Sequence, residues 1–314
     1  PNPNHESNRN KEPKGREHSL RSKKLDPNQF WPHALILSSP LMTHQAEKIV
    51  EPTKVLFEGR YRKLVRDLPQ TIFYCPKCKG RGCEHCEGFG KLTKDSVQEL
   101  IARVAMPWLK SRRNKFHGAG REDMDVRMLG EGRPFVFEAL KCKRPMIDLE
   151  ELCTEINRRN EGRIEVLNFK FCNRKRVVEL KETRCPKDYL ARVRMGGEID
   201  SIAIEGKLKN LVEEGRLAIF QTTPSRVAHR RANLERERWI EILNFERDAN
   251  DWLVTIRSAH GTYIKEVVSG ESGRTQPSLS KLLDCPCSCV ELDVLNILPP
   301  ELETPHTTPD SLGD

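Results

Sequence analysis

The stretch "HGAGREDMDVRMLGEGRPF", residues 117–135, combines backbone freedom with charge. It holds four glycines, four acids and three arginines in nineteen residues, with few apolar side chains. No phosphate-binding loop fits it, because GxxxxGK[ST] is absent and the glycines do not open an apolar helix. Asp123 and Asp125 are two residues apart, so on an extended segment they share one face and Glu122 points to the other. The residues alone leave open a solvated turn or a functional acidic loop.

The segments around this loop predict a mixture of helices and strands. Ser96 followed by Glu99 is a capping-box pattern, and the apolar spacing after it predicts a helix to about Pro107. Asp148 predicts the N-cap of a second helix. Alternating phenylalanines after the loop predict a strand in "RPFVFEAL". Further predicted strands are "RIEVLNFKF", "YLARVRM", "WIEILNF", "WLVTIRS" and "CVELDVLNI". Because no strict βαβ rhythm appears, we expect an α+β fold with a mixed, mainly antiparallel sheet flanked by helices.

A cysteine cluster in "CPKCKGRGCEHCEGFG" carries the pattern CxxCxGxG twice. Each CxxC directs two thiolates to one ion, so the four sulfurs of Cys75, Cys78, Cys83 and Cys86 complete a tetrahedral site. Such a site has no open position, which predicts a structural zinc ion. His85 is a poorer ligand candidate because it lies directly between Glu84 and a ligating cysteine in the sequence.

A second cysteine group, Cys285, Cys287 and Cys289, has alternate spacing around a proline. This spacing does not easily present three thiolates to one ion. We expect these side chains to pack as small apolar groups.

The composition favours a polyanionic partner inside the cell. Lysine and arginine total 54 against 46 acids, and the formal net charge is +8. The 11 cysteines without a secretory signal indicate a reducing compartment. The polar start and the absence of an apolar run of transmembrane length exclude a membrane protein, so we expect a soluble protein of the nucleus or cytoplasm.

Composition also predicts the organisation of the chain. Residues 1–50 and 299–314 are polar and read as disordered tails. Residues 51–95 form a basic segment with the zinc module, and residues 96–298 form the main domain. The chain starts at Pro1 instead of methionine, which suggests a fragment.

Several blocks resemble one family of RNA-modifying enzymes. "GREDMDVRMLGEGRPF" is similar to the signature of the archaeal and eukaryotic tRNA pseudouridine synthases of the Pus10 family. "GRYRKLVRDLPQT", "RVAHRRANLERERW", "HGTYIKEVVSGESGRTQPSLSKLLDC" and "CVELDV" resemble other family segments in the same order. The resemblance covers about residues 58–297 and implies the catalytic domain, with a pseudouridine synthase fold. The N-terminal RNA-binding domain of the family has no counterpart.

The resemblance also implies a function. The chain would isomerise uridine to pseudouridine in the T arm of tRNA, at position 55, with position 54 as a second candidate. The reaction is redox-neutral, so we expect no cofactor for catalysis. We expect the chain to act on tRNA as a monomer.

The family pattern implies Asp123 as the essential catalytic carboxylate. Asp125 is the fallback, or a residue that holds the loop through backbone NH groups. A carboxylate beneath a stacked base needs a nearby cation to stay ionised. By its position in "GTYIKE", Lys265 is implied as that cation.

Four further residues are implied in uridine binding. Tyr189 is implied as the residue that stacks on the base, with Tyr263 as a second tyrosine of the pocket. Leu292 is implied as an apolar wall. Arg121 would stack on a base or bind phosphate near the vacated position.

The basic stretch is too rich in cations for a helical salt-bridge ladder, which favours a phosphate-binding surface. Its members are Arg226, His229, Arg230, Arg231, Arg236 and Arg238. The alternative for the whole chain is a non-catalytic, zinc-containing RNA-binding module whose acidic loop only contacts the RNA backbone.

Overall fold

The computed structural model describes residues 53–197 and 200–300, except for the side chain of Arg230. The predicted tails lie outside the described residues, apart from Pro299 and Pro300. The strands are β1 (Thr53–Lys63), β2 (Arg113–Gly118), β3 (Arg127–Cys142), β4 (Ile164–Phe171), β5 (Lys187–Met195), β6 (Arg216–Thr222), β7 (Glu235–Asp248), β8 (Asp251–Ser258), β9 (Thr275–Gln276) and β10 (Cys287–Ile297). The α-helices are α1 (Val97–Trp108), α2 (Leu149–Arg159), α3 (Arg174–Glu182), α4 (Ser201–Glu214), α5 (Ile264–Ser269) and α6 (Leu279–Leu283).

The strands form one mixed sheet in the order β4-β1-β3-β10-β5-β8-β7-β6-β9, and β2 pairs with β3 outside this path. All neighbours are antiparallel except β3 and β10. These two run parallel and pair through two contacts, Asp293 with Arg127 and Val294 with Met128. The expected α+β fold with a mainly antiparallel sheet is confirmed.

The predicted helix starts follow from side-chain caps. The Ser96 hydroxyl accepts a hydrogen bond from the backbone NH of Glu99 at 3.2 Å and donates one to the Glu99 carboxylate at 2.7 Å. Asp148 accepts hydrogen bonds from the backbone NH groups of Glu150 and Glu151. Each cap satisfies NH groups that have no partner within the helix. Helix α1 ends at Trp108, one residue beyond the predicted end.

The predicted strands are confirmed, but two strands differ from the sequence pattern. Strand β3 begins at Arg127 instead of near Arg133, so half of the glycine-rich stretch is already in the sheet. Strand β1 falls in what the sequence suggested was only a basic segment. It lies between β3 and β4, where both of its edges are paired. The charged residues of β1 are not typical of a central strand, so the sequence pattern did not predict it. Lys63, for example, is fully buried among polar partners and does not lie on a solvated face.

Aromatic rings fill the core between β1, β2 and β3. Phe57 stacks on Phe137 with ring centroids 5.2 Å apart, and Phe116 stacks on Phe135 at 5.0 Å. Helix α1 contacts α2, and α2 contacts β4, while α5 contacts β10. None of the described helices is long and apolar enough to cross a membrane.

Candidate active site

A cavity of about 440 Å³ opens above the loop that joins β2 to β3. It lies where β3 meets β10, so it collects residues that are far apart in the chain. The residues of the loop and its surroundings that line it are Gly120, Arg121, Glu122, Asp123, Val126 and Arg133. Those from the remaining strands and loops are Lys187, Tyr189, Arg226, Val227, Arg231, His260, Gly261, Thr262, Tyr263, Ile264, Lys265, Leu292 and Val294.

Glu122 anchors the loop from below. Its carboxylate accepts hydrogen bonds from the Tyr61 hydroxyl at 2.8 Å and 2.9 Å and from Arg133 Nε at 2.7 Å. Glu122 and Arg133 are both buried, and the charge of Glu122 holds the pKa of Arg133 above its ordinary value although burial opposes it. Gln70 extends the network by donating to the Tyr61 hydroxyl at 2.8 Å and to the Gly120 carbonyl at 3.1 Å. The network holds the Glu122 side chain and the Gly120 carbonyl, and with them the segment that leads to Asp123.

Lys63 holds the same loop through its carbonyl groups. Its ammonium donates to the carbonyl oxygens of Leu68 at 2.8 Å and of Asp123 and Met124 at 3.0 Å each. Burial lowers the pKa of Lys63 to about 8, although the nearby carboxylates oppose this shift. An ammonium has three donors, so all of them are used.

Asp123 projects from this anchored loop into the cavity and is paired with Arg226. Arg226 Nη1 donates to Asp123 Oδ2 at 2.6 Å, and Arg226 Nε donates to Glu266 Oε1 at 2.6 Å. Burial opposes the charge on Arg226, but the hydrogen bonds and charges of both carboxylates raise its pKa further above its ordinary value. Arg226 is therefore a fixed cation held between two acids.

The expected ion pair between Asp123 and Lys265 is not present. Lys265 lies in the same cavity, but its ammonium donates to Asp125 Oδ2 at 2.6 Å. Burial disfavours ionisation of Asp125, yet the hydrogen bond and charge of Lys265 outweigh it and lower the pKa of Asp125. The two acids thus have separate cations, because Arg226 reaches Asp123 from the segment before β7 while Lys265 lies in the first turn of α5.

The other residues expected in the pocket come together. Tyr189 on β5 and Leu292 on β10 both line the cavity, and burial raises the pKa of Tyr189 to about 12. Tyr263 is held through its backbone, since the buried Gln221 side chain accepts from its NH at 2.8 Å and donates to its carbonyl at 3.1 Å. The guanidinium of Arg226 lies 5.8 Å from the centre of the Tyr263 ring. Two aromatic rings therefore share a cavity with Asp123.

Comparison with models of known protein families identifies the family of the chain. The family model described as Pus10, C-terminal, matches residues 56–298. The chain belongs to the Pus10 family.

Among curated relatives, the tRNA pseudouridine synthase Pus10 of Methanocaldococcus jannaschii is 44% identical over 272 residues, which cover 86% of this chain and 58% of the relative. That of Methanothermobacter marburgensis is 44% identical over 254 residues, with 79% and 61% covered. The chain thus spans about three fifths of the length of these Pus10 relatives. Among solved structures, a crystal structure of a Cbf5-Nop10-Gar1 complex aligns with a TM-score of 0.36 and 17% identity, covering 63% of this chain and 44% of that one.

The basic stretch of this Pus10 family member divides between the cavity and the surface. Arg226 and Arg231 line the cavity, as does Arg121 from the acidic loop. His229 is exposed and is not part of the lining. The side chain of Arg230 is not among those described, so its role stays a prediction.

Arg236 and Arg238, from the same basic stretch, donate hydrogen bonds to nearby protein groups. Arg236 donates to the Thr223 hydroxyl at 3.2 Å, and Arg238 donates to the Glu237 carbonyl at 2.7 Å. These bonds leave further N–H donors on both guanidinium groups, so the predicted phosphate-binding role of Arg236 and Arg238 stays a prediction.

The sequence did not predict the roles of several residues of the cavity. Arg226 was grouped with phosphate-binding residues, although it is the partner of Asp123. Glu122 was expected only to point away from the aspartates on an extended segment, but the segment turns at Met124 and Asp125, and the buried partners of Glu122 were not predicted. Lys187 and His260 were not singled out. A possible signal was their position, since Lys187 is two residues before Tyr189 and His260 opens the "HGTYIKE" block.

The four-cysteine cluster has the dimensions of a tetrahedral metal site. All four Sγ atoms lie within 4.8 Å of one another. Three Sγ pairs are 3.7 to 3.8 Å apart, namely Cys75 with Cys83, Cys78 with Cys86 and Cys83 with Cys86. A tetrahedron with Zn–S bonds of about 2.3 Å has an edge of about 3.8 Å. The donor set and its spacing therefore fit a zinc ion.

The repeated motif makes this geometry symmetric. Gly82 donates its NH to Cys78 Sγ at 3.3 Å, and Gly90 donates its NH to Cys86 Sγ at 3.2 Å. Both glycines have positive φ, and a Cβ on either would meet a carbonyl oxygen within 2.6 Å. The second glycine of each CxGxG unit is thus required for the turn that brings an NH to the sulfur.

The other cysteine group behaves as expected. Cys287 is buried, and Cys285 and Cys289 pack against the main core. Cys285 and Cys287 have sulfurs 3.8 Å apart. Within the described part of the chain, the metal-compatible group consists of the four motif cysteines alone.

Proposed function

We propose that this chain isomerises uridine to pseudouridine in tRNA, at a T-arm uridine at position 55, with position 54 as the second candidate. The observation that carries the proposal is the placement of Asp123. It stands on a loop anchored by buried groups, inside a cavity with two tyrosines and a surplus of cations. Membership in a family whose curated relatives are named tRNA pseudouridine synthases supports the same reaction.

The reaction breaks the N1–C1′ bond of the uridine and forms a C5–C1′ bond. The base rotates between the two steps, the proton leaves C5, and N1 gains a proton, so no oxidant or reductant is consumed. A carboxylate that attacks as a nucleophile or stabilises the sugar intermediate meets this need, together with a group that removes the C5 proton. Asp123 is the proposed carboxylate.

The cations of the cavity support an ionised Asp123. A base stacked over the carboxylate would displace water, which disfavours the charged form. Arg226 opposes this effect through its hydrogen bond of 2.6 Å, and Glu266 keeps its guanidinium in place on the other side. We assign Arg226 as the ion-pair partner of Asp123, and Lys265 as the residue that positions Asp125.

The walls of the cavity suit an extruded uracil. Tyr189 offers an aromatic face for stacking and Leu292 an apolar contact. A uridine in a folded tRNA arm must be flipped out of its stack, which costs a few kcal/mol. Contacts of Arg121 and Arg231 with the RNA backbone would offset part of that cost. The chain is proposed to do this as a monomer, with zinc holding the cysteine module in its structure and taking no part in catalysis.

The direct test uses unmodified tRNA transcript and maps pseudouridine by position. Asp123→Asn should abolish product while tRNA affinity stays within a few-fold, because Arg226 keeps Glu266 as its partner. Asp125→Asn is the matched control and should retain turnover. Full turnover by Asp123→Asn would refute the assignment. A wild-type chain that binds tRNA without forming pseudouridine would favour the non-catalytic RNA-binding module.

A further inference from the structure

The two buried lysines of this region differ in their hydrogen bonding. Lys63 gives all three ammonium donors to carbonyl oxygens. Lys187 is 7% exposed, and within the described residues its ammonium has one partner, the carbonyl oxygen of Cys185 at 3.0 Å. Two donors of a buried ammonium are thus free for a ligand. A buried charge without a counter-ion is costly, so an anion bound at these two donors would stabilise the charged form of Lys187.

The charges around Lys187 favour an anion. Burial and the positive charge of Arg133 lower the pKa of Lys187 to about 8, and His260 lines the same two cavities. Burial and the positive charges of Lys187, Arg184 and Arg238 lower the pKa of His260. Arg133 is neutralised by Glu122, but no described carboxylate lies within ion-pair distance of the Lys187 ammonium.

Lys187 also lies between two cavities. It lines the cavity of Asp123, and together with His260 it lines a second cavity of about 260 Å³. Lys187 and Tyr189 are two residues apart on β5, so they face the same side about 7 Å from each other. An anion on Lys187 would therefore lie beside the base that Tyr189 is proposed to stack.

The second cavity is lined by apolar and charged residues. Its apolar residues are Ala119, Pro134, Leu180, Ile297, Leu298 and Pro299. Arg60 and Arg176 also line it, with one acid, Glu131, and Arg176 is paired with Glu58 and Glu179. Arg60 is fixed by hydrogen bonds to the carbonyl oxygens of Glu131 and Gly132. Apolar contacts beside cations suit the base of a nucleotide whose phosphate lies at the entrance.

We propose that Lys187 and His260 bind the RNA phosphate adjacent to the target uridine, and that the second cavity receives the neighbouring nucleotide. The proposal rests on the proposed function, because it takes RNA as the ligand. It adds a second nucleotide subsite to the pocket of Asp123. Lys187 would hold the chain of the RNA while the uridine is turned into the cavity.

The test measures binding of a T-arm hairpin RNA in which single phosphates are replaced by methylphosphonates. Lys187→Met should weaken binding of the unmodified hairpin about tenfold to hundredfold. It should also reduce the slope of log Kd against log salt by about 0.7 to 0.9. One methylphosphonate should weaken wild-type binding similarly and leave Lys187→Met unaffected. Lys209→Met, an exposed lysine outside both cavities, should bind within twofold of wild type.

Stability separates this role from a structural one. Lys187→Met should melt at the wild-type temperature or above it, since it removes a buried unpaired charge. A lower melting temperature with an unchanged salt slope would overturn the proposal, as would a scan in which no phosphate couples to Lys187. Inorganic phosphate that protects the wild-type chain but leaves RNA binding unaffected would show an adventitious anion site and also overturn it.

Failure of the proposed function would look different. Binding of the hairpin does not depend on turnover. Coupling between Lys187 and one phosphate in a chain that forms no pseudouridine would uphold the subsite and refute the reaction.

Discussion

The buried pair between Glu122 and Arg133 offers a test of how the loop of Asp123 is held. Glu122→Gln changes one oxygen to an amide with almost no change in shape. It leaves Arg133, which is 1% exposed, without its counter-ion. Removing one partner of a buried ion pair costs about 3 to 5 kcal/mol. For a domain of this size, each kcal/mol lowers the melting temperature by about 2 to 4 °C.

The expected loss is therefore a melting temperature lower by roughly 6 to 20 °C, with a matching shift of the urea midpoint. Urea unfolding gives the free energy, and pseudouridine formation on tRNA transcript gives the turnover. Turnover should fall more than tRNA affinity, because the Glu122 carboxylate is already bonded to Tyr61 and Arg133 and affects the reaction through the loop of Asp123. Glu131→Gln, an exposed acid nearby, is the control and should change stability by less than about 0.5 kcal/mol.

A double variant distinguishes the ion pair from a general defect. Arg133→Met combined with Glu122→Gln removes both charges. The two changes should then be less destabilising together than the sum of the single changes, with a coupling of about 0.5 to 3 kcal/mol. Additive effects, or a loss below about 1 kcal/mol for Glu122→Gln alone, would refute the claim that this pair holds the loop.

Two other expectations concern the cations and the metal. Arg226→Lys should lower turnover about tenfold or more with little change in tRNA affinity, because an ammonium cannot bridge Asp123 and Glu266 as a guanidinium does. Lys265→Met should have the smaller effect on turnover, and the reverse order would restore Lys265 as the partner of Asp123. Elemental analysis should find one zinc ion per chain, and a chelator should lower the melting temperature. A metal-free chain of full stability would contradict the four-cysteine site, and Cys83→Ser should reproduce the effect of the chelator.

Local patterns in the sequence predicted the parts of the structure that depend on local physics. Ser96 and Asp148 marked the helix starts because a cap acts within three residues. The cysteine site was readable because all four ligands lie within twelve residues and each glycine has a fixed role. The strands with regular alternation were found for the same reason.

Contacts between residues that are far apart in the chain could not be predicted from local sequence patterns. Nothing near Arg226 shows that its partner is Asp123, which is 103 residues away. Strand β1 was missed because Lys63 looks like a surface residue until its three carbonyl partners are known. Most of the residues that the resemblance implied line one cavity, but His229 lies outside that lining. The pairing of cations with acids required the side-chain geometry.

The parallel pairing of β3 with β10 affects when the site can form during protein synthesis. Among the described strands, β10 is the one that bonds to both β3 and β5, and it also supplies Leu292 to the cavity. During synthesis, the two halves of the sheet emerge from the ribosome long before this strand, and domains generally fold from the N-terminal side onward. The pocket is therefore complete only after nearly the whole described chain has left the exit tunnel. A nascent chain stalled before residue 287 would contain the acidic loop, but it would lack Leu292 and the pairing of β10 with β3 that complete the site.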